Sequence, residues 1–245
     1  MELVKKNGET IKCWQDWERP KKEYQWKEGR SAMEVAKSWF RHSIATPPVE
    51  IIRMLVDPFQ QDVEFHRVVP ELVTPLPERG EGRNHDVACT CMIGKRLATV
   101  CIEGKTDESF GEQTVAQYYQ KMKNRQKAGD PTRVPERIEK LVSMLPIFHA
   151  EILSCAISDN GYQLVTALVG TALQARINNS EIAILIIHEF HTDGLDARKI
   201  QKNIQDYAHF VNELTGKTCE DGANGELFGP IEVDGIACFV GRVVA

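Results

Sequence analysis

The sequence predicts a mixed α/β or α+β fold in which helices flank a central mixed sheet. Helical and strand-like patterns follow one another in the order helix, strand, hairpin, helix, strand, helix, which is typical of a layered fold. Residues 86–105 form the clearest hairpin, with Gly94 and Lys95 as its two-residue turn. Residues 182–190 are a continuous apolar run, typical of a strand that is buried on both faces.

Apolar spacing and helix-breaking residues set the bounds of the predicted elements. A helix is predicted at 31–44, where Ser31 and Glu34 form a capping box and Pro47 stops the helix. Residues 70–85 are rich in Pro, Gly and charge and are predicted to be a loop. The other predicted elements are a helix at 51–57, a strand at 63–69, strands at 86–93 and 96–105, helices at 111–128, 135–146 and 163–177, a strand at 182–190, a helix at 200–214, and strands at 226–233 and 236–244.

The 245 residues are predicted to form a single domain. Its expected parts are an aromatic-containing arm at 1–29, a core at 30–105 and 160–215, a helical insertion at 106–158, and terminal strands at 216–245. No apolar stretch is long enough to span a membrane, and no apolar segment follows the polar start of the chain. We therefore expect a cytoplasmic protein with no membrane partner.

The charge balance does not by itself indicate a nucleic-acid partner. The formal net charge is −5 and the pI is near 5.9, whereas nucleic-acid-binding proteins usually carry a basic excess. A local run of bases is open to two interpretations, a solvated helix face or an anion-binding surface; it comprises Lys121, Lys123, Arg125, Lys127, Arg133, Arg137 and Lys140. The seven scattered cysteines favour buried, reduced thiols over disulfides or a zinc site.

The hairpin brings two acids and a lysine together. If Gly94 and Lys95 are the turn, Asp86 lies directly opposite Glu103, and paired Cβ atoms lie ~4.5–5.5 Å apart. Lys105 shares the face of Glu103 because side chains alternate along a strand. The apolar positions of both strands fall on the other face, which is predicted to be core.

This arrangement has a chemical consequence. Like charges placed opposite each other destabilise a sheet, so Asp86 and Glu103 need a neutralising partner such as a metal ion or a lysine. In phosphodiester hydrolysis a divalent cation polarises the phosphate and activates water, and a lysine stabilises developing charge. The alternative is an ordinary surface salt bridge at the end of a hairpin.

These residues carry a resemblance to a known superfamily. Asp86 at the head of one strand and Glu103-Gly104-Lys105 at the end of the next resemble the PD-(D/E)XK superfamily of restriction-type nucleases. The order of elements over 30–105 and 160–215 is similar to the common core of that superfamily. The longer string from Glu103 to Gly111, E-G-K-T-D-E-S-F-G, is similar to an uncharacterised bacterial family of nuclease-like fold.

The resemblance implies a restriction-endonuclease-like core and roles for individual residues. Asp86 and Glu103 would bind Mg²⁺ or Mn²⁺, with the Gly104 carbonyl as a further ligand and Lys105 as the charge stabiliser. Glu34 on the first helix would add a carboxylate ligand. The alternative is that it has only a capping role. Gln163, on the helix after the hairpin, would be a further catalytic residue. In this chain His85 takes the place of the proline that precedes the aspartate in the superfamily.

Other acids and histidines could also contribute to a site. Glu71 before the hairpin and Glu108 after it are each open as a third acid or as a solvated residue. His188 and His191 are three residues apart at the end of a strand, so they point to opposite faces. They therefore lack the spacing on one helix face that zinc proteases need.

The sequence therefore predicts a metal-dependent phosphodiester hydrolase that uses a metal-activated water. The expected partners are nucleic acid, DNA in preference to RNA by family analogy alone, and a second copy of the chain in a homodimer. The alternative is a nuclease-fold protein that binds a partner without catalysis, and the acidic pI favours it.

Overall fold

The computed structural model describes residues 1–42, 44–147 and 151–245. Within these ranges, seven strands form one mixed sheet and six α-helices cover it. The predicted mixed α/β fold is therefore confirmed. Ser43, near the end of the first predicted helix, and residues 148–150, inside the predicted insertion, lie outside the described residues.

The sheet places the hairpin next to its centre. In spatial order its strands are β1, β2, β3, β4, β5, β7 and β6. β1 is parallel to β2, β4 to β5 and β5 to β7, whereas the β2–β3, β3–β4 and β6–β7 pairs are antiparallel. The strands are β1 (Glu2–Leu3), β2 (Val63–Thr74), β3 (Arg83–Ile93), β4 (Arg96–Lys105), β5 (Ile182–Glu189), β6 (Leu227–Val233) and β7 (Ile236–Val244).

The helices lie on both faces of the sheet. They are α1 (Ser31–Ser38), α2 (Val49–Phe59), α3 (Val115–Lys127), α4 (Val134–Ser143), α5 (Tyr162–Ile177) and α6 (Ala197–Thr215). α1 and α2 cover one face, and α3 to α6 contribute to the core on the other. In the three ranges given above, no helix combines the length and the apolar character that crossing a bilayer requires.

β5 is buried on both faces, as its apolar run predicts. All eight of its residues are buried. Ile184 packs into the core with α1 and α2, whereas Leu185 packs into the core with α5 and α6. Two hydrophobic cores therefore share this central strand.

The predicted hairpin register is confirmed over most of its length. Val87 pairs with Ile102, Cys91 with Ala98 and Ile93 with Arg96, with Gly94 in a left-handed turn conformation at φ 59°. The predicted apolar face is buried against α1 and α2. The cysteines of β3 are free thiols in this core, as expected.

Several of the predicted bounds were wrong, and two of the differences have a clear structural reason. β2 continues to Thr74, so the loop covers only 75–82, and Pro70 is tolerated because β1 pairs only with Arg67 and Val68 on that side. α1 ends at Ser38 because the chain turns back, and the Trp39 carbonyl accepts the Thr46 N–H at 2.9 Å.

The predicted insertion is part of the main core. α3 and α4 lie within residues 106–158, and Val115, Ile138 and Leu141 are buried in the same cluster as the residues of α5. β1 was not predicted, and it attaches the N-terminal arm to the edge of the sheet through β2. All described parts thus meet on one sheet.

We expect α5 to be the main stabilising helix of this core. Leu168→Ala removes a fully buried side chain and should lower the free energy of unfolding by about 2–5 kcal/mol. Ile177→Ala, at a position of the same helix that is 58% exposed, should change it by less than about 0.5 kcal/mol. Urea denaturation followed by circular dichroism measures both, and equal effects would contradict the burial of α5 in this core.

Candidate active site

A cleft of about 1000 Å³ opens at the end of the β3–β4 hairpin that lies away from its turn. Its walls come from the N-terminus of α5, the start of α1 and the arm at 20–27. Asp86, Glu103, Gly104, Lys105 and Gln163 all line it. The cleft therefore brings together five of the six site residues predicted from the sequence.

β3 changes the direction of its side chains at Asp86. From Val87 onward, odd-numbered side chains pack with α1 and α2. Arg83 and His85 instead lie against Gly170 of α5. A Cβ added at Gly170 would be 2.9 Å from Arg83 Cγ and 3.3 Å from His85 Cε1. The strand therefore shifts its alternation by one residue at the acid.

The neighbouring strands show the same irregularity. Regular pairing of β3 with β4 stops at Val87 and Ile102, and the β2–β3 register passes from Pro70 directly to Leu72. The residue in between, Glu71, has a φ of 54°, an uncommon conformation for a residue other than glycine. Such outliers are found where a site requires a special backbone.

Asp86 uses this break to reach across to β4. Its Oδ2 accepts the backbone N–H of Gly104 at 2.8 Å. Burial raises the pKa of the Asp86 carboxyl well above its ordinary value of 3.8, and the charges of Glu103 and Glu71 raise it further. Lys105 and the Gly104 N–H act in the opposite direction without cancelling the effect. The predicted direct pair between Asp86 and Glu103 is thus replaced by a side chain to backbone contact.

Glu103 is held by three side chains. Its Oε1 accepts Lys105 Nζ at 3.0 Å and Gln163 Nε2 at 2.6 Å, and its Oε2 forms an ion pair with Arg83. Lys105 Nζ also donates to Gln163 Oε1 at 3.3 Å and lies 5.2 Å from the Phe110 ring centre. Glu103, Lys105 and Gln163 therefore form one cluster, and Arg83 completes it.

The surroundings shift the pKa values of Asp86 and Glu103 in opposite directions. Burial alone would raise the pKa of Glu103, but the charges of Arg83 and Lys105 outweigh it and leave the pKa lowered. The pKa of Glu103 is therefore shifted towards ionisation and that of Asp86 towards protonation, a pattern found at acid–base sites. Burial and the charge of Arg83 lower the pKa of His85 to about 3, so this imidazole is neutral.

Glu34 does not join the cluster. Its carboxylate accepts the Gly29 N–H at 3.1 Å and Lys37 Nζ at 3.2 Å. It is absent from the cleft lining, so the structure does not support it as a ligand beside Asp86 and favours a local capping role. The predicted capping box with Ser31 was also wrong, because the helix begins at Ser31 and its N-cap is Arg30.

Gly104 fits its position for a steric reason. A Cβ there would lie 2.5 Å from Val35 Cγ2 and 3.4 Å from Asp86 Oδ2. Because the N–H and C=O of one residue in an extended strand point to the same side, the Gly104 carbonyl is also directed towards β3. Gly104, at the variable position of the motif, therefore lies where β4 and α1 come into close contact.

Both acids that were left open line the cleft. Glu71 is buried and accepts Asn84 Nδ2 at 2.5 Å, and burial raises the pKa of its carboxyl. Glu108 accepts both the backbone N–H and the hydroxyl of Thr106. Glu71 is therefore a further titratable group near Asp86, whereas Glu108 serves to order the turn after β4.

Two other sequence features have local structural roles. In the basic run, Lys123, Arg125 and Lys140 form ion pairs with nearby acids, as expected of a solvated face. Nε2 of His188 contacts Glu50 at 2.8 Å, and Nε2 of His191 contacts Glu189 at 2.7 Å. The two histidines thus have different carboxylate partners.

The donor set of the cleft suits a divalent cation only in part. Among residues 1–42, 44–147 and 151–245, no three His, Cys, Asp or Glu side chains are grouped so that they could hold a metal ion. Mg²⁺, however, is usually bound through one or two carboxylates, with water and substrate phosphates completing its shell. Asp86, Glu103 and the Gly104 carbonyl are donors of the right kind, provided that Arg83 releases Glu103.

Arg83 and Asn84 were not predicted as site residues. Both fall in the segment that was predicted to be a loop. If the alternation of β3 had continued unchanged, the side chain of Arg83 would also lie on the other face of the sheet from that of Glu103. Only the shift at Asp86 brings the two side chains together, and the sequence pattern gives no sign of that shift.

The fold and cleft define an α/β protein with a buried cluster of acids and bases at the end of a central hairpin. Residues 9–245 match the family described as a domain of unknown function (DUF6946), and the chain belongs to this family. Comparison with curated proteins and with solved structures gave no match.

The raised pKa of Asp86 predicts how stability depends on pH. Below pH 3.8 the carboxyl is protonated in both the folded and the unfolded chain, so its ionisation has no effect on stability. As the pH rises towards the folded-state pKa, the unfolded chain ionises first and the wild type loses stability. Asp86→Asn should therefore be more stable than the wild type at pH 7, with the difference shrinking as the pH falls.

Urea denaturation across this pH range measures the difference. Asp57→Asn, the same change at an exposed position of α2, controls for net charge. Parallel pH profiles for the wild type and Asp86→Asn would contradict the assignment of a raised pKa.

Proposed function

We propose that this protein is a divalent-metal-dependent phosphodiester hydrolase, a nuclease that acts on DNA in preference to RNA. The observation that carries the proposal is the convergence of Asp86, Glu103, Lys105 and Gln163 in one cleft. Structural ion pairs are usually exposed, but Glu103 and Lys105 are each only 5% exposed. Buried charges with separated pKa values are a feature of functional sites.

Each residue has a role that fits its surroundings. Asp86, Glu103 and the Gly104 carbonyl would hold Mg²⁺ or Mn²⁺. When bound, such a cation polarises a phosphate and lowers the pKa of water. Lys105, fixed by Glu103 and Gln163, would place its ammonium where negative charge develops on the phosphate. Gln163 holds both partners and so positions them.

The walls of the cleft suit a polyanion. On the side of the N-terminal arm the lining includes Trp26, four basic residues and two acids; they are Lys21, Lys22, Lys27, Arg30, Glu23 and Glu81. Lys21 pairs with Glu81 and Arg30 with Asp107, which leaves Lys22 and Lys27. Basic and aromatic side chains together bind the backbone and the bases of nucleic acid. A local basic wall is compatible with the overall charge of −5. The choice of DNA, a homodimer and a cytoplasmic location come from the family resemblance and from the features of the sequence.

A second candidate is a binding module without catalysis. It is favoured by the saturation of Glu103, which already meets two cationic side chains and an amide and does not need a metal for neutralisation. Such a protein would keep the cleft and its basic wall but would not turn over a substrate.

A cleavage assay separates these candidates. Wild-type protein with Mn²⁺ or Mg²⁺ should cleave plasmid or single-stranded DNA, and Asp86→Ala or Lys105→Ala should lower the rate at least about a hundredfold. The physical reason is the loss of a cation ligand in one variant and of the charge stabiliser in the other. Gel electrophoresis of time courses gives the rates.

The control is Glu64→Gln, which changes an exposed acid on β2 and should leave the rate unchanged. Circular dichroism spectra check that each variant is folded. Cleavage that survives both substitutions would place the activity elsewhere. Wild-type metal binding that is lost in Asp86→Ala, with no cleavage by any protein, would favour the binding module.

A further inference from the structure

Arg83 stands at the junction of two cavities. It lines the main cleft and also an adjoining depression of about 450 Å³, and Tyr162, Gln163 and Thr166 are shared by both. A ligand that extends from the acids towards α5 would therefore pass the Arg83 side chain. The proposed nuclease chemistry assigns this residue no role.

The guanidinium of Arg83 is only partly used. Its side chain is 10% exposed, and Nη2 pairs with Glu103 Oε2. Within the described part of the chain, Nε is buried and has no hydrogen-bond partner. An arginine carries five N–H donors in a fixed planar fork, and a buried donor without a partner is unfavourable. The whole fork becomes available to an oxygen-rich partner such as a phosphate only when the guanidinium leaves Glu103, and that move would also give the unpaired Nε a partner.

The other arginines of the cleft are engaged differently. Arg137 donates to the carbonyl oxygens of Pro77, Glu78 and Glu81, and so holds the loop before β3. Arg30 forms an ion pair with Asp107. Neither contacts the acids to which a cation would bind.

Arg83 and a divalent cation would compete for Glu103. Glu103 Oε1 already accepts Lys105 and Gln163, so a cation would approach Oε2, the oxygen that Arg83 holds. A cation beside Glu103 would also repel the guanidinium at short range. A phosphodiester resolves this conflict because it brings negative charge for the guanidinium to bind. The buried ion pair would thus weaken cation binding in the absence of an anionic ligand.

We infer that Arg83 is the phosphate-binding residue of the cleft, and that it leaves Glu103 when a divalent cation and a phosphodiester bind together. The inference rests on the proposed function and deepens it by making the two ligands cooperative. By linkage, the phosphodiester must raise the affinity for the cation by the same factor as the cation raises the affinity for the phosphodiester.

The test measures Mn²⁺ affinity and does not require turnover. Mn²⁺ binding is followed by electron paramagnetic resonance, with and without a short oligodeoxynucleotide carrying cleavage-resistant phosphorothioate linkages. Arg83→Gln should bind Mn²⁺ about tenfold more tightly than the wild type without the oligonucleotide, because its competitor for Glu103 is gone. The oligonucleotide should raise the Mn²⁺ affinity of the wild type about tenfold more than that of Arg83→Gln, in which only the direct contact between cation and phosphate couples the two ligands.

Two further variants sharpen the test. Arg53→Gln makes the same change of charge at an exposed position of α2, outside the cleft lining, and should behave like the wild type. Arg83→Lys keeps the positive charge beside Glu103 in case Arg83→Gln does not fold. Its oligonucleotide effect should be smaller than that of the wild type because an ammonium binds a phosphate as a point charge and not as a fork.

The outcomes separate the inference from the proposed function. Equal Mn²⁺ affinity in Arg83→Gln and the wild type without the oligonucleotide, or an oligonucleotide effect as large in Arg83→Lys as in the wild type, overturns the role of Arg83 even if the wild type cleaves DNA. The expected affinities without cleavage would support the role of Arg83 and refute the nuclease. Absence of Mn²⁺ binding in every variant would refute both.

Discussion

The negative charge of Glu103, held below the surface at the end of β4, requires compensation, and much of the surrounding structure provides it. In a medium of low polarity, an ionised carboxylate is stable only when it is paired and hydrogen-bonded. Arg83, Lys105 and Gln163 supply these contacts from three different elements. The positions of β3, β4 and α5 relative to one another are therefore coupled to this one charge.

The break in β3 is the geometric solution to that requirement. Regular alternation would turn Arg83 away from Glu103 and leave Asp86 in an ordinary cross-strand pair. The shift at Asp86, accompanied by the left-handed conformation of Glu71 in β2, brings the arginine to the α5 side. Gly170 leaves room for its stem. The irregular backbone thus allows the buried charge of Glu103 to be paired, and such irregularities are common at functional sites.

This construction also shapes the chemistry that the cleft can support. Cationic neighbours lower the pKa of one acid, Glu103, while burial raises the pKa of the other, Asp86. A site of this kind can either accept a cation between its acids or remain closed by its own ion pairs. The two proposed functions, a nuclease and a binding module, correspond to these two uses of one arrangement, and we propose that they differ in how readily the Arg83 pair with Glu103 opens.

The sequence by itself determined the hairpin, its turn, the face that Val87 and Ile102 share, and the burial of β5 on both sides. These features depend on side-chain periodicity and turn chemistry, which are local. Only the tertiary structure decided that Arg83 meets Glu103, that Asp86 bonds to Gly104, and that Glu34 stays apart. Those contacts depend on how β3 pairs with two neighbours at once and packs on α5, and no spacing along one chain segment encodes that balance.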